Sequence, residues 1–481
     1  MEPRTLQYLA EAAAGAVAKG QPALLVEGIS TDSRQVRPGD LFVALAGDRF
    51  DGHEFIGQAA ALGAVAVLTD GRLLPGLPGS CARIVTDNPR AALGRIAARY
   101  RRDYRPRLVA VGGSNGKTTT KELVASVLAR RLAVIKSEAS YNNDVGVPHT
   151  LLKLGREHQA GVLEVGTNHP GELAPLVAMV QPEFGVITSL GREHLEFFKD
   201  LDGVAAEEGW LAQQLPAQGV LFTQGDPAVM TRIVRRAACP VQKVGFLPGN
   251  DWQATDVRVG PEGTDLRVTA TRGEYSGQYQ IPIPGRHHAV NALFAIAVGA
   301  EMGLDPAEIR AGLAAVTPPR MRSQMRRGRG ILLLDDSYNA NADSMAAALE
   351  TLRDLPCAGR RVAVLGDMAE LGEEAESAHA EVGRRAVETG VNALFAVGRW
   401  ASVLAGGVRA SGRIPVFEFA DAGPVPEALR DYLRAGDLVL LKASRATRLE
   451  HLAEAILKEP FAAGDPVRPA EIQGGAPCCI T

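Results

Sequence analysis

The chain has 481 residues, 46% hydrophobic and 22% charged, which suits globular domains with ordinary cores and, at this length, about three of them. A formal net charge of −3 gives no electrostatic reason to expect nucleic acid or an anionic membrane as partner. No apolar run approaches the roughly 20 residues of a membrane span, and the opening MEPRTLQYLAEAAAG is a helix pattern without a signal-peptide core.

In chain order, residues 1–105 read as a small α/β unit of short strands and helices. Its densest polar stretch takes in Thr31 to Arg34, residues 38–45, Arg49, and Asp51 to His53. Polar side chains between turn glycines suit a small anionic ligand, with Ser33 and Arg34 able to hold phosphate. A solvated loop accounts for them equally well. A basic helix over 89–102 leads into the second unit.

The second unit, 106–318, alternates apolar strands with helical stretches. Residues 108–111, 133–135, 162–165, 186–188 and 220–222 predict a buried parallel sheet. The alternating runs 256–259, 266–271 and 278–283 predict a small antiparallel addition, followed by an alanine-rich helix over 291–302. Directly after the first strand stands GSNGKTTTK, Gly113 to Lys121. Gly113 and Gly116 let the backbone fold tightly, so that N–H groups from Gly113 through Ser114, Asn115 and Thr119 can face phosphate oxygens. Lys117 supplies a point charge and Thr118 a hydroxyl for Mg²⁺. A helix over 118–130 turns its positive end toward the same anion. The loop departs from a standard Walker A, whose first glycine would fall on Val111. Strand, loop and helix together predict nucleotide binding.

Glu164 ends a predicted strand, where a carboxylate can reach metal near the loop, and a hard oxygen is what Mg²⁺ prefers. His194, in GREHL, is equally well read as structural, since imidazole suits Mg²⁺ poorly. Ser140 to Asp144, with Asn142 and Asn143, offers amide and hydroxyl oxygens for metal or phosphate, or else forms an Asx-rich turn. His287 and Asn291, at a helix start, suit adenine or a helix cap.

The third unit, 319–462, repeats the α/β rhythm, with strands predicted over 331–334, 362–365, 393–397, 415–419 and 438–441. It has Rossmann-like periodicity but no G-x-G-x-x-G after its first strand, so no nicotinamide or flavin is assigned. Asp335 to Met345 is too polar for an ordinary strand exit, and Lys442 to Arg445 follows the last strand, where it could bind a carboxylate. The basic residues 320–329 lack interleaved aromatics and read as a hinge beside a phosphate cleft. Residues 463–481 read as a disordered tail whose ending, CCIT, only superficially matches a prenylation box. The five cysteines (Cys81, Cys239, Cys357, Cys478, Cys479) lack metal-site spacing and read as reduced cytoplasmic thiols.

Taken together, TDSR, PGDLFVAL, GSNGKTTTK, YNNDVGVP, LEVGTNHPGE, EHLE, GRHHAVNAL, DDSYNANADSM, VLGDMAELG and LKASR resemble the Mur ligases of peptidoglycan synthesis over residues 5 to 460. The resemblance implies three domains: an N-terminal UDP-sugar domain, a central P-loop ATPase-type domain and a C-terminal Rossmann-like domain. It implies an ATP- and Mg²⁺-dependent amide ligase working through an acyl phosphate; the composition adds a cytoplasmic location without nucleic acid or membrane insertion, and a monomer is the default expectation. DDSYNANADSM followed by VLGDMAELG is the most specific pair. It points to joining D-alanyl-D-alanine to UDP-N-acetylmuramoyl-tripeptide, rather than to adding one amino acid or glutamylating folate.

By the same resemblance, Ser33 and Arg34 hold the UDP-sugar, and Lys117, Thr118, Glu164 and His194 serve phosphates and Mg²⁺. His287 and Asn291 meet adenine, and Arg322, with Arg320 as the alternative, reaches phosphate from the third domain. Asp336, Tyr338, Asn339 and Asn341 line the nucleotide and dipeptide side. Lys442 and Ser444 face the dipeptide, and Asn142 and Asn143 the acceptor.

One departure stands out. Family members usually carry a lysine, carbamylated in use, in a context like A-K-G-E; here the stretch is Ala206-Glu-Glu-Gly209, with Glu208 at that position. Glu208 is therefore expected to give Mg²⁺ its carboxylate directly, through a closer backbone or a bridging water. The alternative is a solvent-facing Glu208 and a lost metal site. His288 also stands where asparagine is common.

Overall fold

The computed structural model describes residues 1–47, 50–72, 77–226 and 228–458. Arg49, Cys478, Cys479 and the tail 463–481 lie outside the described residues.

The largest sheet has nine strands, in the order Gly277–Ile281, Gly263–Ala270, Trp252–Gly260, Val241–Gly245, Val220–Gln224, Phe184–Ile187, Arg107–Gly112, Ala160–Glu164 and Val134–Lys136. The first two junctions are antiparallel and the rest parallel. Buried apolar residues run almost unbroken along Arg107–Gly112 and Ala160–Glu164, as befits strands covered on both faces. Val241–Gly245 escapes the sequence pattern because Gln242 and Lys243 interrupt its apolar run. Register places the site: Glu164 pairs with Val111, and Ile187 with Gly112, so the carboxyl ends of three central strands meet at one edge. That edge is where open α/β sheets bind ligands.

The helix Lys117–Leu128 covers this sheet although three threonines fill its first turn, and threonine is a poor helix former. All three are buried, so tertiary packing overrides propensity. The helix Arg286–Glu301 packs against it with a nearly continuous buried surface. Gly299 permits the close approach, since a Cβ there would stand 2.8 Å from Val127 Cγ1. Leu293 and Phe294 of this helix are fully buried in the surrounding core, each contributing about 2 kcal/mol.

A five-stranded sheet over residues 16–85 precedes this body, and a six-stranded one over residues 324–442 follows it. The basic stretch expected as a hinge contributes Gln324–Gly328, an antiparallel edge strand on Ile331–Asp335. Arg326 and Arg327 on that edge make it a poor template for further pairing. Among the described residues no helix is long and apolar enough to cross a membrane.

Candidate active site

The strand Arg107–Gly112 ends in a loop that only glycine accommodates at two points. Gly113 has φ +104°, and a Cβ there would lie 2.6 Å from Thr188 Oγ1; Gly116 has φ +86°, and its Cβ would lie 2.8 Å from Asn291 Oδ1. Both the left-handed backbone and the crowding exclude side chains.

Lys117 follows, its Nζ donating to the carbonyls of Gly113 (2.5 Å) and Ser114 (3.2 Å) and lying 3.7 Å from Glu193 Oε2. Burial lowers its pKa, but the carboxylates of Glu193, Glu208 and Glu164 outweigh that and hold the ammonium above the ordinary lysine range. A fixed positive charge therefore sits at the loop before any ligand arrives.

Beside it, Thr118 Oγ1 donates to Glu164 Oε2 at 2.8 Å and Asn142 Nδ2 donates to Glu164 Oε1 at 2.9 Å. Glu164 is only 1% exposed, so its charge is presented to the cleft rather than to bulk water. Ser140 Oγ, 3.2 Å from Thr118 Oγ1, accepts from Arg322 Nη2 at 3.0 Å. Arg322 also lies over the Tyr338 ring, 4.0 Å from its centroid. Arg322, and not the exposed Arg320, thus reaches the cleft from the third unit.

These groups line a cleft of about 460 Å³ together with Ser114, Asn115, Thr119, His194, His287, Asp336, Asn339, Asn341 and Lys442. The third unit closes it through several contacts. Asn341 Nδ2 donates to Asn115 Oδ1 at 3.0 Å while its own Oδ1 caps the helix Ala342–Asp354. Arg192 joins Asp343 and Glu381, and His194 Nδ1 meets Glu370. Asp343, Glu370, Glu381 and Glu193 were not singled out in the sequence. The motifs EHLE, DDSYNANADSM and VLGDMAELG contain Glu193, Asp343 and Glu370, and none contains Glu381; which side chain crosses to which unit does not show in a local pattern.

Several expected residues stand elsewhere. Glu208 is 1% exposed and does not line the cleft; its Oε2 accepts the Gly113 N–H at 2.7 Å, and its Oε1 has no partner. It holds the phosphate loop and faces neither solvent nor the cleft. Asn291 is buried behind Gly116, bonded to His288 Nδ1, and does not line the cleft either. His288 takes the outer place, its Nε2 3.0 Å from Ser323 Oγ, tying the helix Arg286–Glu301 to the third unit. Lys442 lines the cleft but is paired with Asp336 at 2.5 Å and donates to the Asn339 carbonyl at 3.1 Å. Ser444 is buried outside the cleft, its N–H donating to Asp367 O.

Ser33 donates to Gln58, and Arg34 is an exposed partner of Asp32; neither lines the cleft. Nearby, Thr31 Oγ1 lies 3.0 Å from His149 Nε2, joining the first unit to the central one. Asn143 accepts from the Val145 and Gly146 N–H groups, the Asx-turn arrangement.

Two titrations follow from this packing. Burial pushes the Glu208 carboxyl up from 4.5 to about 7, against the opposing pull of Lys117. The native state therefore keeps this proton longer than the unfolded chain, and native stability falls as pH rises from 4.5 to about 7. Glu208→Gln removes that loss. Its stability relative to the parent is expected to climb by about 3 kcal/mol between roughly pH 4.5 and 8, measured by denaturant unfolding. A pH-independent difference would contradict the burial account.

His287 has the opposite sign. Burial lowers it from 6.5 to about 4, only partly countered by Asp336. The unfolded chain takes up a proton that the native state refuses, so stability is lost as pH falls from 6.5 toward 4. His287→Gln is expected to remove about 3 kcal/mol of that acid loss in the same measurement. An unaltered acid limb would contradict it.

Comparison with known proteins agrees with this geometry. Residues 25–101 match the Mur ligase family, catalytic domain; 111–299 the Mur ligase middle domain; and 321–445 the Mur ligase, glutamate ligase domain. The chain is 32% identical to the UDP-N-acetylmuramoyl-tripeptide--D-alanyl-D-alanine ligase of Bacillus subtilis, over 96% of this chain and 100% of that one. It is 36% identical to the ligase of the same name from Escherichia coli, over 90% and 94%. A crystal structure of MurF from Acinetobacter baumannii superposes with a TM-score of 0.87 at 31% identity, covering 95% of this chain and 100% of that one. MurF ligase from Thermotoga maritima in complex with ADP gives 0.79 at 26% identity, covering 89% and 97%. With a phosphate loop at the carboxyl edge of its central sheet and likeness to these ligases along nearly its whole length, the chain belongs to the Mur ligase family.

Proposed function

We propose that this chain joins D-alanyl-D-alanine to UDP-N-acetylmuramoyl-tripeptide at the expense of ATP, releasing ADP and phosphate and giving the pentapeptide precursor of peptidoglycan. The observation that carries the reading is the seating of DDSYNANADSM over the cleft, with Asn341 on Asn115 of the phosphate loop and Asp343 on Arg192 of the neighbouring segment after the strand Phe184–Ile187. The most specific sequence signal thus shares one cleft with Lys117. The like-named relatives from two organisms support the same substrates.

In this reading the units 1–105, 106–318 and 319–462 serve the sugar nucleotide, ATP and the dipeptide respectively, in a cytoplasmic monomer. The terminal carboxylate of the tripeptide attacks the γ-phosphorus of ATP, and the bond to the β-phosphate oxygen breaks to release ADP. The amine of D-alanyl-D-alanine then attacks the acyl carbon, phosphate leaves, and the amine loses a proton. Phosphoryl transfer asks the protein for position and charge rather than covalent help. The loop N–H groups and Lys117 hold the phosphates; Arg322 neutralises charge from the opposite wall. His287 offers a neutral ring to the base.

Thr118 Oγ1 and Glu164 are hard oxygen donors that fit Mg²⁺, with His194 at the edge of the same cleft. Among the described residues no three His, Cys, Asp or Glu side chains cage a metal, which accords with an ion held mainly by phosphates and water. Bound there, Mg²⁺ would neutralise charge developing on the β- and γ-phosphates. Glu208 fits that ion poorly as a direct ligand, because it does not line the cleft and its Oε2 is turned behind the loop to Gly113. Its Oε2 instead holds the Gly113 N–H behind the loop, and no lysine stands at this position to be carbamylated.

The test is phosphate release from ATP with both substrates and with each alone. Release that needs both, with a pentapeptide product by mass, is expected. Turnover only with a shorter peptide precursor or a folate plus one amino acid would assign a sister ligase instead.

A further inference from the structure

The phosphate cleft does not end at Asn142. Asn142, Gly166, Thr167 and Asn168 line both it and a second cavity of about 850 Å³, between the helix Pro89–Arg101 of the first unit and the helix Leu173–Val180 of the central one. The walls are apolar where the helices face each other, at Ala91, Ala98, Leu176 and Met179. Charge is open to a ligand at one place on the lining, where Arg90 Nη1 meets both oxygens of Asp144 at 2.8 and 2.9 Å. Glu172 also lines the cavity, but its Oε2 is taken by the N–H groups of Asn168 and His169 and its Oε1 faces the His169 ring. Arg95 is held by Asp87 and the Ala13 carbonyl.

We propose that this cavity receives the side chain of the acceptor peptide's third residue. The Arg90–Asp144 pair selects a side chain ending in both an ammonium and a carboxylate, as diaminopimelate does, over one ending in an ammonium alone, as lysine does. This rests on the ligase reading above and adds to it the identity of the acceptor.

Position is the first argument. The carboxylate to be activated belongs to that third residue and must lie beside Lys117, Thr118 and Glu164. Asn142 is bonded to Glu164, and Asp144 lies two residues further along, at most about 7 Å of extended chain. A spacer of three methylenes covers such a distance, and the apolar walls suit it.

Chemistry is the second argument. The two side chains are 44% and 50% exposed, so the pair is screened and held weakly. It opens at small cost when both halves are matched anew. An ammonium takes Asp144, and a carboxylate takes the Arg90 fork in a two-point contact. A lysine end serves Asp144 only and leaves Arg90 without its partner.

The experiment compares kcat/KM for UDP-N-acetylmuramoyl-tripeptides ending in diaminopimelate or in lysine, with the parent chain, Arg90→Ala and Asp144→Ala. The parent is expected to prefer the diaminopimelate substrate by about tenfold or more, the scale of one charge-assisted contact. In Arg90→Ala the ratio of the two values falls toward one, while Asp144→Ala weakens both substrates. A parent ratio near one overturns the proposal, as does a ratio that survives in Arg90→Ala. If neither tripeptide is used by the parent, the ligase reading itself fails and this inference falls with it. If both are used equally, the ligase reading stands and only the inference is lost.

Discussion

Lys117→Met is expected to lower kcat/KM for ATP by about 10³-fold, with a large loss of ATP affinity and a folded chain. Methionine keeps the length and apolar stem of lysine, so the loop retains its packing. It lacks the three N–H donors and the charge. The carboxylates of Glu193, Glu208 and Glu164 all act on this ammonium, and without it a triphosphate would have to enter a cleft lined by Glu193 and Glu164 with no lysine to offset them. The Gly113 and Ser114 carbonyls also lose their donor. Phosphate release and calorimetric titration with a non-hydrolysable ATP analogue read both effects. A variant within about tenfold of the parent in either would mean that Lys117 does not hold the phosphates.

Glu164→Ala is expected to cost about 10² to 10³ in kcat and to raise the Mg²⁺ concentration needed for half-maximal rate. This carboxylate ends the strand Ala160–Glu164 and accepts from Thr118 and Asn142 on separate oxygens. Both partners would be left without their acceptor. Glu164→Gln distinguishes charge from shape: an amide accepts on one atom only, turns an N–H toward one donor and brings no charge. Glutamine is therefore expected to rescue little. Full activity in Glu164→Gln, with the Mg²⁺ requirement unmoved, would remove this carboxylate from the reaction.

What could be read from the chain before its structure followed from local order. GSNGKTTTK after an apolar strand announced the loop, because strand, turn and helix are contiguous. The α/β class and most strands followed from apolar runs, while Val241–Gly245 and Gln324–Gly328 did not, since polar residues interrupt both. Glu164 was legible as a carboxylate at a strand end, and its partners were not, since Thr118 lies 46 residues away and Asn142 lies 22. The clamp of Arg192 on Asp343 spans 151 residues, and no periodicity encodes such a pairing.

Glu208 and Asn291 show the same limit from the other side. Their positions along the chain matched family motifs, but side-chain direction depends on what packs against them. Glu208 turns to the Gly113 N–H, and Asn291 packs behind Gly116. Lys442 was legible as a cation after the last strand, and its commitment to Asp336, 106 residues earlier, was not.

In the proposed reaction the tripeptide carboxylate attacks the γ-phosphorus beside Lys117, and one measurement addresses that step directly. A tripeptide substrate carrying ¹⁸O in its terminal carboxylate is turned over with ATP and D-alanyl-D-alanine, and the phosphate is analysed by mass. One ¹⁸O per inorganic phosphate, with ADP as the nucleotide product, is the expected result. Label in AMP, or unlabelled phosphate formed along with product, would contradict the proposed chemistry.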